Sequence, residues 1–306
     1  MKKTETDQDI TQKLDLREAP FPDASEISEM MKRLTESSAY RLAFKDDDFM
    51  SLRDMRGARL QLEMLKPDMT LKKMGIYSTV VVFGGTRIIS KEDSIEKIAA
   101  LEKELESKPD DSKLKRKLKV AYNVLEKSHF YDEARRFARI VSGQCQINGQ
   151  CDYVIVTGGG PGVMEAANRG AWECGARSIG LNIVLPDEQS PNPFITPELC
   201  FQFHYFTMRK MHFLMRARAL VAFPGGYGTL DELFEALTLV QTRKARTLPI
   251  ILFGKSFWEK IINFDNLVDE GVIDPEHLEL FSYAETAEEA WEIIRSHHDI
   301  ARVEIT

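Results

Sequence analysis

Apolar residues change their spacing along this chain in a regular way. Short apolar-rich segments at 78–83, 153–156, 179–184, 201–205, 218–223, 249–253 and 280–283 predict strands. The run at 78–83 is continuous and β-branched, which fits a strand buried on both faces, as in a parallel sheet. Between them, apolar residues recur at i, i+3, i+4 and i+7. Ala134, Phe137, Ala138 and Val141 predict a helix from Tyr131 to Ser142. Further helices are predicted from Val163, over 208–218, through Leu233, Leu237 and Val240, over 256–270 and over 286–296. Strands that alternate with helices from residue 78 onward predict an α/β fold, a doubly wound parallel sheet covered on both faces.

Two regions do not follow this alternation. Residues 1–22 are polar and end in Pro-Phe-Pro, which reads as a loose tail. Residues 24–66 carry helical stripes: Ile27, Met30, Met31 and Leu34 behind a cap at Asp23 or Ser25, then Phe49, Leu52 and Met55, continuing to Leu65. Pro67 is expected to end that second stretch. Residues 1–76 therefore read as a tail and helical extension, packing on the main domain of 77–306 or on a second subunit. Inside that domain, 17 of the 29 residues from Lys91 to Lys119 are charged, so most of this segment faces water. Ile95, Ile98 and Leu105, then Leu114, Leu118, Ala121 and Leu125, keep helical spacing on either side of Pro109-Asp110-Asp111. This predicts a helical hairpin inserted at about 90–128.

Composition narrows the function. The net charge of −7 argues against a general nucleic-acid binder. No run of about 20 apolar residues predicts a membrane span. The first residues lack the apolar core of a secretory signal. The four cysteines match no common zinc spacing and read as reduced thiols of a cytoplasmic protein. His297-His298 reads as a solvated helix end, and no metal constellation or cofactor requirement is visible.

Three glycine-rich turns each follow a predicted strand: Gly84-Gly85-Thr86, Thr157 to Gly162, and Pro224-Gly225-Gly226-Tyr227-Gly228-Thr229. In a parallel sheet such turns gather at the carboxyl edge, where ligands dock. Glycines let backbone N–H groups approach an anion, and a helix start adds unpaired N–H groups and a positive dipole end. Glu232 follows the third turn, and a pure phosphate cradle has no use for a carboxylate. Arg209 and Lys210 open the preceding helix, where a cation is unfavourable unless an anion is near. A plain strand-to-helix turn and a solvated arginine would leave the same letters. Taken together, they suggest a phosphate nest beside an Arg209–Glu232 pair.

The stretch PGGYGTLDE (224–232) resembles the PGGxGTxxE motif of the Lonely Guy (LOG) family of nucleoside 5′-monophosphate phosphoribohydrolases. Met208-Arg209-Lys210 and the segment GGGPGVMEAANRGA (158–171) resemble further parts of that family, in its bacterial form. The resemblance covers roughly 78–298. It implies a Rossmann-like fold and hydrolysis of an N-glycosidic bond to free base and ribose 5-phosphate, without metal or redox cofactor. Arg209 and Glu232 are the implied catalytic residues. The implied nucleotide-binding set is Gly84, Gly85, Thr86, Gly159, Gly160, Gly162, Met164, Glu165, Lys210, Gly225, Gly226, Tyr227, Gly228 and Thr229. Family members often carry a lysine decarboxylase label, but no lysine here stands in a recognisable pyridoxal-phosphate setting. The hairpin and N-terminal extension are absent from compact plant-type members, so the base, whether adenine, a modified adenine or another, stays open. The implied partner is a nucleoside 5′-monophosphate, the implied assembly a homodimer or a larger even-numbered homo-oligomer. A non-catalytic nucleotide-binding regulator is the alternative.

Overall fold

The computed structural model describes residues 21–146, 151–186 and 190–298. The tail expected over 1–22 lies, up to residue 20, outside the described residues. The chain divides into two compact units, 1–59 and 60–306.

In the first unit, helix α1 (Ala24–Glu36) starts in a capping box. Asp23 Oδ1 accepts from the backbone N–H groups of Ser25 and Glu26, and Glu26 Oε2 accepts from Asp23 N at 2.9 Å. Those bonds satisfy donors that the first helical turn leaves free. A short helix α2 (Asp47–Ser51) follows, capped by Asp46. The helix expected to run on through Leu52 is interrupted there. Leu52 is extended, and its carbonyl accepts from Arg59 Nη1 at 2.8 Å. Helix α3 (Arg56–Lys73) then crosses into the second unit.

The second unit carries, in order, β1 (Thr79–Phe83), α4 (Lys91–Ser107), α5 (Ser112–Leu125), α6 (His129–Cys145), β2 (Val154–Thr157), α7 (Val163–Glu173), β3 (Ser178–Ile183), β4 (Cys200–Phe203), α8 (Phe206–Met215), β5 (Ala217–Ala222), α9 (Tyr227–Gln241), β6 (Ile250–Phe253), α10 (Lys255–Ile261), α11 (Phe264–Asp269), β7 (Ser282–Ala284) and α12 (Ala287–His297). All seven expected strands form, within two residues of the expected limits. They build one parallel sheet in the order β4-β3-β2-β1-β5-β6-β7. The fold is the expected Rossmann-like α/β arrangement.

The alternation of side chains along each strand separates two cores. Val80, Val82, Ile155, Val221 and Ile251 pack under α6, α7 and α12. Val81, Phe83, Val156, Leu220 and Leu252 pack under α8, α9 and α10, and Leu71 of α3 joins them. The predicted hairpin is present as α4 and α5, with Asp111 capping α5 through the N–H groups of Lys113 and Leu114.

Several local expectations are corrected. The helix expected over 256–270 is two helices. Asn263 caps the second by accepting from Asn266 N at 3.0 Å, and Ile262 before it is extended. His298 is not a solvated end: its Nε2 lies 2.7 Å from Arg218 O, at the start of β5. Pro67 does not end its helix but lies buried inside α3. A proline has no N–H to offer the carbonyl four residues earlier. That carbonyl, Glu63 O, accepts instead from His212 Nε2 of α8 at 3.0 Å. Burial holds His212 below the ordinary imidazole range, so the ring is neutral at pH 7 and Nε2 is its donor.

The proline and the histidine therefore form one device, which a pair of variants can test. His212→Leu should lower stability by about 1–3 kcal/mol in urea titrations, because it leaves a part-buried carbonyl unpaired. Adding Pro67→Ala should recover part of the loss, since residue 67 then supplies the helix's own donor.

Candidate active site

Strands β1 and β5 are neighbours, yet β1 connects onward toward β2 on one side while β5 connects toward β6 on the other. This is the point where strand order reverses and the loops part. Backbone bonds hold the two loops at their roots: Phe223 N donates to Phe83 O and Gly85 N donates to Pro224 O, both at 2.9 Å. Above them opens a cleft of about 370 Å³, within the usual range for small-molecule sites.

The first loop contributes Gly84, Gly85 and Thr86 to the lining. Gly84 has no room for a side chain, since a Cβ would sit 2.5 Å from Val163 Cγ1. The second loop contributes Gly158 and Gly160, with Met164 from the first turn of α7 lying across them. Gly162 has φ +73° and abuts the Gly85 carbonyl, so it joins the loops without lining the cleft. Gly159 likewise packs on Asn182. A buried polar cluster fixes this second loop. Gly159 N donates to Thr157 Oγ1 at 3.0 Å, Thr157 Oγ1 donates to Asn168 Oδ1 at 2.7 Å, and Asn192 Nδ2 reaches Gly160 O at 3.1 Å. Glu165 is turned away, with Tyr131 Oη donating to its carboxylate at 3.1 Å.

The third loop runs into α9, whose N-cap is Gly226 with no side-chain cap. The first intrahelical donor is Leu230 N, bonding Gly226 O at 3.0 Å. The N–H groups of Tyr227, Gly228 and Thr229 come before it and border the cleft. Gly226 and Gly228 face open space where a Cβ would stand, whereas a Cβ on Gly225 would run into Thr229 Oγ1. The Tyr227 side chain is 92% exposed, so this residue offers the cleft its backbone.

Glu232 lies one turn into α9 and is only 6% exposed. Arg209 Nη2 of α8 is 3.3 Å from its Oε1. Arg209 is clamped between aromatic faces, its guanidinium carbon 4.9 Å from the Phe206 ring centre and 5.7 Å from that of Phe213. Its Nε is buried without a hydrogen-bond partner among the described residues. Burial pushes the Glu232 carboxyl up to about 7, against the pull of Arg209. Burial also draws Arg209 below its ordinary value, with Glu232 opposing that shift. Just ahead of α8, the Glu63 carboxylate accepts from His204 N at 2.8 Å and Tyr205 N at 3.2 Å. Lys210 points elsewhere, pairing with Asp231 at 2.8 Å and Glu235 at 3.0 Å outside the cleft.

Of the residues singled out in the sequence, the cleft thus gathers Gly84, Gly85, Thr86, Gly160, Met164, Arg209, Gly226, Tyr227, Gly228, Thr229 and Glu232. Gly159, Gly162, Glu165, Lys210 and Gly225 support its walls or face away. The lining also includes Asn182 at the end of β3, Phe206 and Phe213. Only the Phe206–Phe213 spacing on either side of Arg209 hinted at these in the sequence.

Two outcomes follow from this geometry. Gly225→Ala should lower the melting temperature, whereas Gly226→Ala should leave stability within about 0.5 kcal/mol, as at ordinary surface positions. The raised Glu232 carboxyl also has a sign. The folded state holds this proton more tightly than the free value of 4.5 requires. Its contribution to stability is complete below that value and is lost as pH rises through about 7. Urea titrations between about pH 5 and 8 should show a flatter pH dependence for Glu232→Gln than for the parent.

A family model described as "Possible lysine decarboxylase" matches residues 164–294, from the first turn of α7 into α12. A "Probable cytokinin riboside 5'-monophosphate phosphoribohydrolase" of Oryza sativa subsp. japonica is 27% identical over 144 residues, 44% of this chain and 64% of that protein. A "Cytokinin riboside 5'-monophosphate phosphoribohydrolase" of Arabidopsis thaliana is 28% identical over 139 residues, 44% of this chain and 63% of that protein. The chain thus spans a little under two thirds of the length of these curated relatives. Among solved structures, the molybdenum cofactor carrier protein of Chlamydomonas reinhardtii aligns with 73% of this chain and 97% of its own, at 17% identity and a TM-score of 0.42. Among the described residues, no helix is long and apolar enough to cross a membrane. The family-model match, the two plant relatives and the PGGYGTLDE stretch agree in one likeness: the part of this chain from α7 to α12 is similar to Lonely Guy (LOG) proteins.

Proposed function

We propose that the chain hydrolyses the N-glycosidic bond of a nucleoside 5′-monophosphate, releasing the base and ribose 5-phosphate. The observation that carries this reading is the buried Arg209–Glu232 pair, set beside an uncapped helix N-terminus in one cleft. The names of the plant relatives support the same class of reaction.

In this reading the 5′-phosphate lies against the N–H groups of residues 227–229, where the α9 dipole favours an anion. The open space at Gly226 and Gly228 leaves room for its oxygens. Ribose then sits over Glu232, and the base extends toward Met164 and Phe206. Breaking the bond between C1′ and the base nitrogen leaves positive charge on the sugar ring. The Glu232 carboxylate faces that charge and takes a proton from the water that adds to C1′. The departing base takes up a proton from solvent as it leaves, and Glu232 returns its own to solvent, so one water is consumed overall. A carboxyl near 7 suits this task, because it is both partly ionised and basic enough to accept a proton at neutral pH. Arg209 holds the carboxylate in place, and its free Nε donates to a ribose or phosphate oxygen. Base preference lies in the Met164, Phe206 and Asn182 wall. The protein works on a single small substrate, as a homodimer or a larger even-numbered assembly.

The test is a panel of nucleoside 5′-monophosphates with released base identified by mass. Glu232→Gln should slow base release by about 10²–10⁴. The parent's kcat/KM should rise with pH to a plateau above about 7, as the free carboxyl ionises. Unchanged base release in Glu232→Gln would sink the mechanism. Nucleotide binding by calorimetry with no turnover of any monophosphate would instead identify a non-catalytic binder.

A further inference from the structure

A second cavity, of about 610 Å³, lies where the α4–α5 hairpin meets the segment following Thr86. The function proposed above makes no use of it. Ile89, Leu101, Val120 and Val124 form an aliphatic floor. Around them stand Arg87, Lys97, Lys113, Arg116 and Lys117. None of these five cations has an ion-pair partner among the described residues. The lining contains no carboxylate, although α4 and its neighbours are rich in them. Three of the acids on α4 are engaged elsewhere: Glu102 accepts from Tyr122 Oη, Glu104 pairs with Lys108, and Asp93 accepts from Ser90.

This charge arrangement is costly on its own. Lys113 and Lys117 stand four residues apart on α5, and like charges at that spacing destabilise a helix. Concentrating cations over an apolar floor, in a chain of net charge −7, makes sense when an anion completes the site. A second observation points the same way. Ser94, which also lines the cavity, is 2% exposed, and its hydroxyl is buried without a hydrogen-bond partner. Buried polar groups are normally paired.

We propose that this cavity binds a small amphipathic anion, a phosphate or carboxylate head on an aliphatic body. The head sits among the cations, and the body covers Ile89, Leu101, Val120 and Val124. A nucleotide fits less well: bases are generally held by stacking on aromatic side chains, and no aromatic residue lines this cavity among the described residues.

Calorimetric titration of the full chain with octyl phosphate, octanoate, inorganic phosphate and AMP decides the matter, without reference to turnover in the first cleft. Octyl phosphate or octanoate should bind once per chain, and the stronger of the two identifies the head group. That affinity should exceed inorganic phosphate's by about tenfold or more, and should fall by about tenfold in R116E/K117E and with added salt. Both exchanged residues are exposed, and circular dichroism checks the fold. K97E/K113E serves as an independent second variant with the same expected loss. The proposal is overturned if neither amphiphile binds saturably or if binding survives both charge reversals. Inorganic phosphate binding as tightly as octyl phosphate overturns it as well, and so does displacement of the amphiphile by AMP, which would place it in the first cleft.

Discussion

The pairing of β1 with β5 is the constraint on which the rest of the molecule rests. Their registered contact, Val81 with Leu220 and Phe83 with Ala222, sets two glycine loops side by side at one edge of the sheet. Parallel strands slant their hydrogen bonds and need long crossovers, so neighbours in the sheet are far apart in sequence. Here the crossover from β4 at the sheet's edge back to its centre runs through α8. The same helix brings Arg209 over Glu232. Fold and site are thus consequences of one connection, and a change in the β1–β5 register would move both sides of the cleft at once.

Burying Arg209 and Glu232 together is unfavourable in itself. Each charge loses hydration, and their attraction returns only part of that loss unless the remaining donors and acceptors are satisfied. The unpaired Arg209 Nε and the raised Glu232 carboxyl are two signs of the same incomplete compensation. The aromatic rings of Phe206 and Phe213 offset some of it through contact with the guanidinium faces. Sites that carry out acid–base chemistry are where such residual strain is expected to persist.

The central strands β1, β2 and β6 were legible in the sequence because a doubly covered strand must be apolar on both sides, and that leaves a nearly unbroken run. Their order was not, since nothing in a run of valines names its neighbour. Pro67 misled because its local rule is correct for an isolated helix. Only the distant His212 supplies the donor that keeps Glu63 satisfied. Asn263 was a readable cap in the middle of the stretch taken as one helix. Lys210 looked like a ligand because it follows Arg209, but successive residues on a helix point about 100° apart. One turns to Glu232 and the other to Asp231 and Glu235. Asn182 stayed hidden because its role depends on where β3 stops, a boundary that periodicity places only loosely.

The order of the strands also divides the first cleft along the chain. Everything up to β4 builds one half of the sheet, with Gly84 to Thr86, Gly160, Met164 and Asn182 as its wall. Arg209, the 226–229 turn and Glu232 all come later. A chain emerging from the ribosome is therefore past four strands and a hairpin before the second wall of the cleft is synthesised. The buried arginine and the uncapped helix start both belong to the later half, so the groups costliest to desolvate arrive together with the aromatic residues that enclose them.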